Sequence, residues 1–257
     1  VDANGGTALF TYDSLNRLIA EEHESAEGVL LSKITRVYDA AYNLLWVGDD
    51  QTRQEFQYNH RNQVIQTQFF ASEEEAFVPL KSLEYTYDDA GNRKTLIGPE
   101  GEELIYEYDA NNRLIQILHS GVTEPLAEID YDDKTGFKKS VLFSNGLKTT
   151  WQYDKKGRPA QVETKTKNGA LVARYLSTYD KRDNIKSIAA NHLKTIHYYT
   201  YDKADQLTWE GAFLSPASKF LKFPIFPRYT ATYQYDLAGN RTKATHGRFG
   251  SQTDFDY

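Results

Sequence analysis

The chain has 257 residues, enough for one large β domain or two ordinary ones with a real core. Its 36 Asp plus Glu outweigh 30 Lys plus Arg and no stretch gathers a basic stripe, so a nucleic-acid partner is disfavoured. The lack of cysteine removes disulfides, thiolate metal sites and a cysteine nucleophile without fixing the compartment. No apolar run reaches membrane-spanning length and "VDANGGTALF" lacks the form of a signal peptide, so the chain reads as soluble.

In chain order, the first predicted strand ends at Tyr12 in "FTYDSLNRLI", and the same phrase then recurs. Tyrosine anchors fall at Tyr12, Tyr38, Tyr58, Tyr87, Tyr108, Tyr131, Tyr153, Tyr179, Tyr201 and Tyr235, and Tyr257 opens one more. The intervals run 26, 20, 29, 21, 23, 22, 26, 22, 34 and 22 residues, which identifies a degenerate repeat. Asp follows the anchors (Asp13, Asp88, Asp109, Asp154, Asp202 and Asp236 among them), with Asn59 as the exception, and either side chain can bond the backbone two residues on. Four residues after the anchor stand Asn16, Asn62, Gly91, Asn112, Gly157, Asp183, Asp205 and Gly239, all tolerant of the left-handed conformation. Tyr42 breaks that pattern, and after Tyr131 the glycine slips one place to Gly136.

Two residues before the anchor are Phe10, Phe56, Tyr85, Tyr106, Trp151, Tyr199, Tyr233 and Phe255, so one face of each incoming strand is aromatic. Arg or an apolar residue restarts the outgoing strand. A second reversal of variable length follows, as in "SAEG" at 25–28, "GPEG" at 98–101, "SGVTEP" at 120–125, "SNG" at 144–146, "KNG" at 167–169 and "HGRFGS" at 246–251. Two strands of about six residues per unit predict an antiparallel hairpin ribbon of about twenty strands, on the order of 100 Å long, that must curl. The predicted organisation is a single array over 1–257, a piece of a longer chain, with a long inserted loop at 210–229. There "EGAFLSPASKFLKFPIFPRY" carries Pro216, Pro224 and Pro227 and offers Phe220, Phe223 and Phe226 as candidate contacts.

Catalytic chemistry is sparse. His23, His60, His119, His192, His197 and His246 form no ligand pair at helical spacing with a nearby acid. The pairs Asp49-Asp50, Asp88-Asp89 and Asp132-Asp133 could hold a cation or act as acid and base, but their place beside predicted turns favours turn capping. Glu73-Glu74-Glu75 reads as a solvated loop. There is no nucleophile elbow, phosphate loop or dinucleotide fingerprint. Neither a cofactor nor a metal is expected, and the chain reads as a non-enzyme.

"YDDAGNRK", "YDANNRLI", "YDKKGRPA" and "YDLAGNRT" resemble the YD repeat, or Rhs repeat, of bacterial Rhs polymorphic toxins, insecticidal Tc toxin components and teneurins. The resemblance implies an all-β hairpin ribbon curling into part of a spiral hollow shell. It further implies a non-catalytic wall segment, secreted or at the bacterial cell surface, that shields a C-terminal toxin or effector. Its partners would be the rest of its own longer chain and the enclosed cargo. The alternative is an extracellular adhesion or carbohydrate-binding module. The structural motif residues it implies are Tyr12, Asp13, Tyr87, Asp88, Gly91, Tyr108, Asp109, Tyr153, Asp154, Gly157, Tyr201, Asp202, Tyr235, Asp236 and Gly239. Rhs shells usually end in an aspartyl self-cleavage site at an Asp-Pro motif, and this sequence contains no Asp-Pro dipeptide.

Overall fold

Alternation of aromatic and polar residues up to each tyrosine, followed by an Asx-type reversal, dictates strands that end at the anchors. In the computed structural model all ten anchors from Tyr12 to Tyr235 are the last residues of their strands. The structure describes residues 5–74, 76–214, 227–248 and 251–256, and every regular element among them is a β-strand. The chain forms two compact units, Val1–Leu126 and Ala127–Tyr257.

The N-terminal unit holds β1 (Thr7–Tyr12), β2 (Leu18–Glu24), β3 (Leu30–Tyr38), β4 (Leu44–Gly48), β5 (Thr52–Tyr58), β6 (Val64–Glu73), β7 (Ala76–Tyr87), β8 (Arg93–Ile97), β9 (Glu103–Tyr108) and β10 (Leu114–His119). Consecutive strands pair antiparallel throughout, giving a meander. The C-terminal unit repeats the plan with β11 (Ala127–Tyr131), β12 (Lys138–Phe143), β13 (Lys148–Tyr153), β14 (Pro159–Lys165), β15 (Leu171–Tyr179), β16 (Ile185–Ala190), β17 (Thr195–Tyr201), β18 (Leu207–Leu214), β19 (Pro227–Tyr235), β20 (Arg241–Arg248) and β21 (Ser251–Asp256). The expected all-β antiparallel hairpin ribbon is therefore present in both units.

Each anchor carries a register shift. Thr86 pairs with Thr95 but Tyr87 pairs with Arg93, which leaves Lys94 as an unpaired bulge residue, and the same step recurs at Tyr12, Tyr153 and Tyr179. A bulge re-aims side chains and increases local twist, so the uniform edge of the ribbon is bent the same way in each hairpin.

Among the described residues each strand packs chiefly on its neighbours in sequence, and no second layer of strands covers either unit. Accordingly, no large side chain among the described residues is fully buried. The buried apolar positions are mostly alanines (Ala127, Ala190, Ala212, Ala231 and Ala244) with Val141, because a small side chain on a single sheet can be covered by its neighbours' rings. Residues one before the anchor, such as Thr86, Glu107, Gln152 and Gln234, are exposed, whereas the anchors after them are half-buried.

Longer intervals are absorbed differently from expectation. The acidic triplet is expected as a loop, but β6 runs through its first residue, Glu73, which pairs with Ala76 of β7, and Glu74 lies in the turn at φ 46°; Glu75 lies outside the described residues. Extra residues lengthen the two strands because Phe69, Phe70, Phe77 and Val78 continue the β pattern up to the turn. The expected 210–229 loop starts inside β18 and ends inside β19, where Ala212 pairs with Tyr229 and Phe213 with Pro227. Pro227 opens its strand, a position that needs no ladder donor. Pro216, Pro224, Phe220, Phe223 and Phe226 lie outside the described residues. The "HGRFGS" reversal is likewise shorter, since β20 continues to Arg248 and β21 begins at Ser251.

Candidate functional site

The uniform edge is built from one five-residue turn repeated along the ribbon. At 88–92 the Asp88 N–H donates to the Asn92 carbonyl at 2.9 Å and the Gly91 N–H donates to the Asp88 carbonyl at 3.0 Å. The same two bonds close the turns at 13–17, 109–113, 154–158, 202–206 and 236–240. The Asp side chain does more than the sequence suggests. Asp13 Oδ1 accepts from the N–H of Leu15 and of Arg17, both at 2.9 Å, while Oδ2 accepts from Arg17 Nε at 2.7 Å. Asp109, Asp154 and Asp236 hold their turns in the same way. Asp202 accepts from the N–H of Ala204 and Gln206.

These donors stabilise the ionised carboxylate. The Asn92 amide holds Asp88 below its ordinary value, Arg113 does the same for Asp109, and Arg158 for Asp154. The residues four after the anchor are left-handed, with φ of 60° at Asn16, 89° at Gly91, 79° at Gly157 and 88° at Gly239. Tyr42, expected to break this pattern, adopts φ 69° all the same, and Arg17 lies 5.0 Å from its ring centroid. The slipped turn closes one residue later, with Asp132 N–H on the Phe137 carbonyl and Gly136 at φ 72°.

Anchor tyrosines tie one hairpin to the next. Tyr87 Oη donates to the Val64 carbonyl at 2.7 Å, and Val64 is the residue paired with the preceding anchor, Tyr58. Tyr38, Tyr58, Tyr108, Tyr153, Tyr179 and Tyr235 repeat this contact at 2.8–3.0 Å with Leu18, Leu44, Arg93, Lys138, Pro159 and Leu207. Tyrosine is needed here because only its hydroxyl reaches that carbonyl while its ring packs.

A second link, missed in the sequence, comes from the residue five after the anchor. Arg17 Nη1 donates to the Asp39 carbonyl at 2.7 Å, Asn43 to Asn62 Oδ1 at 3.0 Å, Gln63 to the Gly91 carbonyl at 3.1 Å and Asn92 to Asn112 Oδ1 at 3.0 Å. In the C-terminal unit Arg158 and Asn184 reach Asp183 and Asp205. The signal was legible, because this position always bears an N–H side chain, whether Arg, Asn or Gln, outside the slipped turn.

Other polar groups are bound into the wall. Glu163, buried in the sheet, pairs with Lys165 and Arg174, and these cations hold its carboxyl low. Glu210 accepts from Tyr233 at 2.7 Å and Tyr229 at 3.1 Å, and burial, then that carboxylate, pushes the Tyr233 phenol up. Arg53 lies over Trp46, Phe70 and Phe77. Asp49 and Asp132 spend their carboxylates on turn amides. Among the described residues no three His, Asp or Glu side chains gather as a metal-ligand set. The edge is thus arranged to hold hairpins in register.

Residues 87–122 match the family model described as RHS Repeat. No curated protein matches the chain at a significant level. Among solved structures, that of TcdB2-TccC3-TEV aligns with 99% of this chain and 15% of its own, with a TM-score of 0.61 and 16% identity. TcdB2-TccC3 without its hypervariable C-terminal region aligns with 97% of this chain and 14% of its own, with a TM-score of 0.60 and 17% identity. The Photorhabdus luminescens Tc holotoxin pore gives the same coverage, TM-score and identity. The present chain thus spans a small fraction of those chains, and the likeness establishes the fold. The segment matched as an RHS repeat at 87–122 contains two of the Tyr-Asp turns that recur from Tyr12 to Tyr235, so the similarity to the YD/Rhs repeat rests on the motif that runs along the chain.

Proposed function

We propose that this segment is a non-catalytic wall section of a YD/Rhs-repeat shell, one array over 1–257 that curls within a longer chain and shields an enclosed toxin or effector. The observation that carries this reading is the doubly linked edge. Tyrosine hydroxyls and turn side chains join neighbouring hairpins, while the turn aspartates are spent on turn amides and ion pairs. Such a wall needs no second layer to hold its register. Its similarity over nearly the whole length to structures of TcdB2-TccC3 supports the same reading. The location that goes with it is outside the producing cell or on its surface.

Cryo-electron microscopy of the intact protein tests this directly. The expected result is a hairpin ribbon wound around an enclosed volume that contains chain density, and protease resistance of that enclosed chain. A ribbon open to solvent on both faces, in a protein that binds glycan-coated cells, would overturn the shell and establish an adhesion module.

A further inference from the structure

Four polar side chains converge over one small residue in the C-terminal unit. Ala231 of β19 is 1% exposed and pairs with Glu210 of β18 on one side and with His246 of β20 on the other. Residues two apart in a strand share a face, so Tyr229 and Tyr233 flank Ala231 along β19 on the face that carries Glu210 and His246. The alanine methyl leaves room above itself, and the four side chains close over it. Tyr233 Oη donates to Glu210 Oε1 at 2.7 Å, and Tyr229 Oη donates to the same oxygen at 3.1 Å. Tyr229 Oη also lies 3.3 Å from His246 Nδ1. All four residues are half-buried, so solvent and ions reach them.

These three oxygens and one nitrogen meet at the spacing of metal ligands. Atoms held about 2.0–2.1 Å from one ion, in octahedral or tetrahedral array, lie about 2.8–3.4 Å from each other. The contacts here run from 2.7 to 3.3 Å. One carboxylate and one imidazole would make a poor site alone, and the two phenol oxygens complete it. Two phenolates and a carboxylate carry three negative charges and the imidazole adds a neutral nitrogen, so the set balances a trivalent cation and overcompensates a divalent one. Oxygen donors of this kind suit a hard ion. Arg241 lies 5.6 Å from the Tyr233 ring centroid, and its charge favours the phenolate form there.

We propose that Glu210, Tyr229, Tyr233 and His246 form a binding site for a trivalent hard cation, with ferric iron as the ion to test. Binding exchanges two phenolic O–H bonds for two oxygen–metal bonds, and both protons leave to solvent. A bound ion of that charge overrides the hydrogen bonds that keep the phenols protonated in its absence. The site is independent of whether the ribbon forms a shell.

The test is titration of the intact protein with ferric nitrilotriacetate, read by the visible phenolate-to-iron charge-transfer absorption. Absorption that saturates at one equivalent of iron is expected, and an equal concentration of zinc chloride should leave it in place. Tyr233→Phe should lower the affinity at least about tenfold with an unchanged circular dichroism spectrum, and Glu210→Gln should do the same. Tyr198→Phe, at an exposed tyrosine outside the cluster, should change nothing. The site is refuted by absorption that does not saturate, by equal affinity in Tyr233→Phe, or by zinc displacing the iron. The first of these would show adventitious iron on the surface phenols of a chain with 19 tyrosines. Stoichiometry and the preference for iron over zinc are both read on the unaltered protein, so a variant that folds poorly leaves the proposal open to refutation.

Discussion

At the residue scale, a single oxygen atom separates the anchors from ordinary aromatic packing. Tyr87→Phe keeps the ring and removes the bond to the Val64 carbonyl, so it should destabilise by about 0.5–1.5 kcal/mol. Tyr12→Phe provides the internal control, since Tyr12 is 53% exposed and its hydroxyl makes no hydrogen bond among the described residues; its cost should be near zero. Urea midpoints of the two variants check this, and equal midpoints would remove the hydroxyl from the account. Gly91 is a backbone case. A Cβ there would meet only the end of the Gln63 side chain at 3.3 Å, so space is not the obstacle, but φ 89° is. Gly91→Val should therefore cost about 1–3 kcal/mol, read as a lowered melting temperature. An unchanged melting temperature would show that the turn adapts. The Asp-to-left-handed-residue spacing was readable in the sequence because Asx turns involve only near neighbours. Tyr42 was misjudged because its strain is offset by Arg17, which lies 25 residues earlier in sequence.

At the element scale, the hairpin turn is a proton-sensitive device. Asp39, Asp88, Asp109, Asp154 and Asp236 are held low chiefly by the side chain five after the anchor, and Asp13 and Asp132 chiefly by turn amides. A folded pKa below the unfolded value, ordinarily near 3.8, means that the contribution to stability is fully present above that pH and is lost as pH falls through the folded values. The opposite sign holds for Tyr58, Tyr108 and Tyr153, whose phenols burial pushes above 10; their contribution is present below that pH and lost as it rises. Melting temperature should thus be level between about pH 5 and 9, fall together in both units below about pH 4 and fall again above about pH 10. A steep loss between pH 5 and 7 would contradict this assignment. Strand lengths were less legible than turns. Glu73 looks like loop by composition, yet pairing with Ala76 places it in β6, because backbone pairing across a tight reversal outweighs a weak residue preference.

At the scale of the whole molecule, the strand contacts within each unit run chiefly between neighbours in sequence among the described residues, so stability should be close to a sum of hairpins and their interfaces. Among the described residues of the N-terminal unit β1 pairs with β2 alone, and Leu9, Phe10 and Tyr12 are 45%, 51% and 53% exposed. Native-state hydrogen exchange should therefore be faster in β1 than in β5, which is paired on both sides, by at least about tenfold. Equal protection of the two strands would indicate a unit that opens only as a whole.

By itself the sequence determined the repeat, the strand ends at the anchors, the left-handed turn positions and the face carrying the aromatics, because these depend on chemistry spanning at most five residues. Tertiary structure decided which carbonyl receives each tyrosine hydroxyl, how turn side chains join neighbouring hairpins, and how far β6, β7, β18 and β19 extend. Those outcomes rest on partners about fifteen to thirty residues away, brought within hydrogen-bond reach only when strands stack about 4.8 Å apart in one particular register.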